Sequence, residues 1–189
     1  MKLQKYEYYE PQQLEEAFSL LDSYGDDAAV LAGGTDLVPL MKERAVQPKC
    51  VINIKRIRDL EFIKSDEALE IGPLTTIGAI EKSAILQEKC PLLCDVAGRM
   101  AYVQVRNIGT IGGNICNASP AADFAPPLMV LDAAVEIAGI NGKRSVSIKN
   151  FFLGPAKTIL GKNEMVTGLH LPGFSVGSLH AFKKVASRT

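Results

Sequence analysis

The sequence predicts an α+β protein of two lobes, a small parallel β-α-β unit followed by a larger, mainly antiparallel one. Three observations carry that prediction. Strand-like and helix-like apolar patterns alternate through residues 6–54, while paired strand patterns joined by short polar turns dominate later. Two glycine-rich segments, Leu31-Ala32-Gly33-Gly34-Thr35-Asp36-Leu37 and Gly109-Thr110-Ile111-Gly112-Gly113-Asn114, lie about seventy-five residues apart, one in each unit.

The elements follow in order. Tyr6 to Tyr9 reads as a short strand and Pro11 opens a helix. Leu14, Ala17, Phe18, Leu20 and Leu21 fall on one face of that helix, and Gly25-Asp26-Asp27 stops it. Ala28 to Ala32 is a continuous apolar run, the pattern of a strand buried on both faces. Leu37 to Glu43 makes one or two helical turns, with Pro39 tolerated in the first. Val51 to Ile54 is a second buried strand. Residues 1–55 are therefore assigned to an N-terminal lobe and 56–175 to a second lobe. There, Leu60–Lys64 and Ala68–Gly72 read as strands paired through Ser65-Asp66-Glu67. Thr76–Glu88 and Leu92–Ala101 read as helices. Ala133–Ala138 and Arg144–Ile148 form a hairpin, and Met165–Pro172 a last strand. Residues 176–189 fall outside both lobes.

Composition narrows the function. The chain has 189 residues, 47% of them hydrophobic, enough to bury a real core. Its 21 Lys and Arg balance 21 Asp and Glu, so the overall charge points to neither nucleic acid nor a membrane surface. The N-terminus lacks a secretory apolar stretch, and no apolar run approaches the roughly 20 residues of a membrane helix. Cys50, Cys90, Cys94 and Cys116 lack zinc-site spacing and read as reduced, packed thiols of a cytoplasmic protein. His170 and His180 read as surface residues without a catalytic role.

The glycine segments carry the chemistry. Adjacent glycines beside small hydroxyl and amide side chains let bare backbone N–H groups close around an anion. A buried pyrophosphate needs several such donors. Those on offer are the amides of Gly33, Gly34 and Thr35 and of Thr110 to Asn114, with the side chains of Thr35, Thr110 and Asn114. Asp36 and Asp123 would oppose phosphate and read instead as acceptors for sugar or adenine groups. A Rossmann G-x-G-x-x-G and a Walker A Gly-Lys-Ser/Thr are both missing, so the pair of turns implies another dinucleotide fold.

Ala32-Gly33-Gly34-Thr35-Asp36-Leu37-x-x-Leu40-Met41-Lys42, with Arg106-Asn107-Ile108-Gly109-Thr110-Ile111-Gly112-Gly113-Asn114 and Ala118-Ser119-Pro120-x-x-Asp123, resembles the FAD-binding medium subunit of molybdenum hydroxylases. These are the relatives of xanthine dehydrogenase, carbon monoxide dehydrogenase and aldehyde oxidase. The resemblance implies the two-lobed FAD-binding fold of vanillyl-alcohol oxidases and the cell-wall reductase, with FAD between the lobes. By position, Ala29, Val30, Leu31, Ala32, Gly33, Gly34, Thr35, Asp36 and Leu37 would wrap the pyrophosphate and ribityl chain. Thr110, Gly112, Gly113, Asn114 and Asn117 would supply the opposite side. Asp123 would hold the adenosine half, Met100 and Ala101 would lie beside the adenine, and Met165, Val166 and Lys183 would lie near the flavin.

The same resemblance implies an electron relay rather than substrate chemistry. A molybdopterin-binding large subunit would act on the substrate and a 2Fe-2S small subunit would pass electrons to this FAD. NAD+ or another acceptor would receive them. It also implies a C-terminal domain that starts at 176–189 and continues beyond residue 188, so the chain is expected to be a truncated, incomplete flavoprotein oxidoreductase subunit. Two other readings stand beside it: a two-lobed scaffold that no longer binds flavin, and a self-sufficient flavin oxidase.

Overall fold

The protein is described by a computed structural model covering residues 4–172 and 179–185. The expected boundary at residue 176 lies outside the described residues, as does the segment around it.

The first lobe is a three-stranded parallel sheet in the order β1-β3-β2, with β1 Glu7–Tyr9, β2 Ala28–Leu31 and β3 Cys50–Asn53. Helix α1, Leu14–Tyr24, lies between β1 and β2 in the chain and buries Ala17 and Leu21 against the sheet. Its acidic first turn, Glu15 and Glu16, suits the positive end of the helix dipole. Helix α2, Leu37–Lys42, follows the first glycine segment. The apolar run of β2 reads as a strand covered on both faces, yet all four of its residues are half-buried. The central place goes to β3, whose four residues are buried, and β2 forms the edge. Ala29 and Val30 of this edge strand border a cleft.

The second lobe is built on a five-stranded antiparallel sheet in the order β4-β5-β10-β6-β7. Its first strands are short, β4 Ile63–Ser65 and β5 Leu69–Ile71. The remaining elements are helices α3 Ile77–Lys82, α4 Ala84–Lys89, α5 Pro91–Gly98, α6 Val103–Arg106, α7 Ile111–Cys116 and α8 Ala125–Val130. Then come the hairpin β6 Ala134–Gly139 and β7 Gly142–Ser147, the turn of helix α9 Ile148–Phe151, and the small pair β8 Phe152–Gly154 and β9 Lys157–Thr158. Strand β10, Glu164–Leu171, closes the sheet at its centre, with a bulge between Val166 and Gly168.

Two helical readings are corrected. The stretch 76–88 is not one helix: Ser83 is extended and its hydroxyl accepts from the Leu86 N–H, ending α3 and capping α4. The helix expected to reach Ala101 stops at Gly98, and Ala101 turns out at a φ of 42°. One core, with Phe124, Phe151, Leu93 and Ile115 fully buried, fills the space between the helices and the antiparallel sheet. A second core packs α1 against the parallel sheet and includes Leu74 and Met165 of the second lobe. The lobes therefore share an apolar seam.

Candidate cofactor cleft

The two glycine segments meet. A methyl group on Gly33 would overlap the Ile108 carbonyl oxygen and come within 2.8 Å of the Gly109 Cα. Only bare backbone on both sides allows that approach. Gly34, at a φ of 78°, then turns the chain into α2. The second segment is less a turn than a helix start: Gly112 and Gly113 lie inside α7, and Thr110 is its N-cap. Thr76 and Thr110 form an antiparallel bridge that ties this start to the entry of α3.

Beside this junction a cleft of about 510 Å³ separates the lobes. On the first-lobe side it is lined by Ala29, Val30, Ala32, Gly33, Gly34, Thr35, Asp36 and Leu37. On the second-lobe side it is lined by Met100, Ala101, Thr110, Gly113, Asn114, Asn117 and Asp123. A smaller cavity of about 130 Å³ adjoins it and shares Val30, Ala32, Gly113 and Cys116. Gly112, Met165 and Val166 line the smaller one, together with Leu74 and Leu160. Leu31 borders neither cavity, and Lys183 is exposed beyond both.

The donors are distributed unevenly, which corrects the expectation of amides closing in from both sides. In the second segment Ile111 N–H donates to Thr75 O at 3.1 Å and Gly112 N–H to Pro73 O at 2.9 Å. Gly113 N–H is taken by its own N-cap, Thr110 Oγ1, at 3.0 Å, and Asn114 N–H by the Thr110 carbonyl at 3.0 Å. Helix formation has used these groups. By contrast, the N–H groups of Gly33, Gly34, Thr35 and Asp36 make no hydrogen bond among the described residues. A run of unused donors along one wall is the signature of an anion site. The facing wall offers the Thr110 N–H and hydroxyl and the Asn114 and Asn117 amides. Asn114 Oδ1 accepts from Phe124 N–H at 3.4 Å, which leaves its Nδ2 to donate.

The roles of two groups, Arg106 and Lys184, escaped the sequence. Arg106 donates to Met100 O and Ala101 O at 3.0 and 3.1 Å and pairs with Glu81 at 3.0 Å. It thereby holds the positive-φ turn at Ala101 that forms the cleft wall. Lys184, the neighbour of Lys183, reaches Asp123 Oδ2 at 2.7 Å. That ammonium offsets the carboxylate at the cleft mouth. Leu40, Val46, Ile77 and Val105 add apolar wall, and only their tertiary placement reveals it. Cys116, half-buried, sits where the two cavities join, and desolvation pushes its thiol up to about 12. No group of His, Cys, Asp and Glu among the described residues can hold a metal ion. No helix among them is long and apolar enough to cross a membrane.

An α+β pair of lobes with an amide-lined cleft at their junction defines a nucleotide-cofactor-binding protein. The comparisons give the family: the sequence profile described as the FAD binding domain in molybdopterin dehydrogenase matches residues 4–174, and the chain belongs to that family. It is 38% identical over 186 residues to the carbon monoxide dehydrogenase medium chain of Hydrogenophaga pseudoflava, covering 98% of this chain and 65% of that one. It is 35% identical over 178 residues to the xanthine dehydrogenase FAD-binding subunit of Escherichia coli O157:H7, covering 92% and 61%. The solved carbon monoxide dehydrogenase from H. pseudoflava superimposes with a TM-score of 0.97 at 37% identity, over 100% of this chain and 66% of that chain. The chain spans slightly under two thirds of the length of the curated relatives it matches.

Proposed function

We propose that this chain is the FAD-holding part of the medium subunit of a molybdenum-containing dehydrogenase. The carrying observation is the row of unused backbone N–H groups at Gly33 to Asp36, facing Thr110, Asn114 and Asn117 across a cleft that joins the lobes. The cofactor fits that donor set: neutral amides stabilise a pyrophosphate without a lysine. Ala29 to Leu37 hold the pyrophosphate and ribityl portion, Met100 and Ala101 flank the adenine, and Asp123 accepts from an adenosine hydroxyl. The smaller apolar cavity, with Gly112, Met165 and Val166, takes the ring system. Lys183 is proposed near the flavin edge on the resemblance alone, and Lys184, through its pair with Asp123, belongs to the adenosine end of the cleft.

Bound there, FAD supplies the electron exchange, and the chain supplies binding, orientation and exclusion of water. Residues 1–55 and 56–175 act as the two lobes of one FAD domain, and 176–189 begin a C-terminal domain. A molybdopterin-binding large subunit and a 2Fe-2S small subunit complete the assembly, in keeping with relatives named as medium chains and subunits. Electrons arrive through the iron–sulfur partner and leave to NAD+ or another acceptor.

The test is an absorption spectrum of the full-length subunit before and after adding FAD. Yellow protein with flavin bands supports the reading. A folded, colourless protein that refuses FAD replaces it with the scaffold. Bleaching of the assembled complex by NADH would identify the nicotinamide as acceptor.

A further inference from the structure

The loop from Ile159 to Glu164 leads into the central strand β10 and is held from two sides. Within the second lobe, Arg144 on β7 donates through Nε to Glu164 Oε1 at 2.9 Å and through Nη2 to Oε2 at 2.8 Å. The same Nη2 reaches the Ile159 carbonyl oxygen at 3.2 Å, and the Gly161 N–H donates to Glu164 Oε2 at 2.7 Å. One guanidinium therefore closes the loop at both ends. From the first lobe, Asp22 Oδ1 accepts from Asn163 Nδ2 at 3.0 Å, and Asp26 pairs with Lys162. On its inner side the loop and the start of β10 present Leu160, Glu164 and Met165 to the smaller cavity.

We propose that Arg144 is a positioning residue for the ring system of the cofactor, acting through Glu164 and the Ile159 carbonyl to set where Leu160 and Met165 stand. The proposal rests on the reading that FAD occupies the joined cavities. Arg144 does not line the smaller cavity, so its influence passes through the loop. Its planar fork spans both carboxylate oxygens and a carbonyl from two nitrogens, a geometry that lysine's single ammonium nitrogen does not reproduce. The first-lobe contacts make the loop a bridge, so its setting also governs how the lobes stand at the ring end of the cleft.

The experiment compares Arg144→Ala, Arg144→Lys, Leu160→Ala and the Arg144→Ala/Leu160→Ala double variant in the full-length subunit. FAD titration and the visible circular dichroism of bound flavin are the readouts. Both Arg144 variants and Leu160→Ala should weaken FAD about tenfold and alter the flavin dichroism, with the double variant no worse than either single one. Restoration of both readouts by Arg144→Lys would reduce the residue to a surface charge and overturn the inference. So would additive losses in the double variant. Should Arg144→Ala not fold, Arg144→Lys and Leu160→Ala decide alone. Parent protein that takes up no FAD removes the reading of the site, and this inference with it. Parent-like behaviour of the variants in an FAD-binding protein removes this inference only.

Discussion

Gly33 and Gly113 look alike in sequence and do different work. At Gly33 the constraint is contact between lobes: any side chain would push against the Ile108 carbonyl and Gly109. Gly33→Ala should destabilise the protein by about 1–3 kcal/mol through overpacking, read as a lower urea midpoint, and should weaken FAD as well. A variant with unchanged midpoint would mean that the segments separate freely. Gly113 is helical, and a Cβ there would meet only Thr110 Oγ1, at 3.1 Å, with the cleft beyond it. Gly113→Val should keep the far-ultraviolet circular dichroism of the parent while abolishing FAD uptake. Tight FAD binding by that variant would place the cofactor elsewhere. Gly34 is a poorer probe, because its φ of 78° strains any β-branched replacement.

Between residues and the whole lie the elements that hold the walls. Helix α7 spends its first amides on Thr110, Pro73 and Thr75, so it shapes the cleft more than it donates to it. The loop before β10 depends on Glu164, whose carboxyl the Arg144 guanidinium holds below its ordinary value near 4.5. A depressed folded-state pKa contributes stability that is present above the ordinary carboxylate value and lost as pH falls through the folded value. Parent protein should therefore lose thermal stability on acidification below about pH 4.5, and Glu164→Gln should lose less over the same interval. Parallel pH curves for the two proteins would show the pair to be energetically idle. Because Arg144 is 38% exposed, solvent weakens the effect. The exposed Lys162–Asp26 pair should count for less than about 1 kcal/mol.

At the scale of the molecule, the lobes touch at the glycine junction, at the bridge from the 159–164 loop, and through the seam in which Leu74 and Met165 join the first-lobe core. Shared core makes them one cooperative unit, so thermal unfolding should show one transition. A ligand gripping both lobes stabilises that unit by mass action, about 2.7 kcal/mol at a concentration a hundredfold above its Kd. Saturating FAD should raise the midpoint of the single transition. Two separate transitions, only one of them moved by FAD, would place the cofactor on a single lobe.

Local chemistry wrote much of this into the chain. The elements of the first lobe, the two-lobed α+β class and the two glycine segments follow from periodicity and from glycine, and the motif pair was enough to indicate the family; the short helices α6 to α8 were not legible. Most of the residues assigned by position, from Ala29 to Leu37 and from Thr110 to Asp123, do border one cleft. Other properties depend on which groups meet, and no local pattern encodes that. Strand β2 is apolar like a central strand but lies at an edge, because β3 took the centre. The amides of the second segment look free in sequence but are bonded to Thr110, Pro73 and Thr75. The braces Arg106–Glu81 and Arg144–Glu164 join residues at least twenty positions apart. Sequence by itself determined the first-lobe elements, the long strands and the glycines that permit close approach. Tertiary structure alone decided which backbone donors remain unused, because a hydrogen bond is spent only when folding brings its partner within reach.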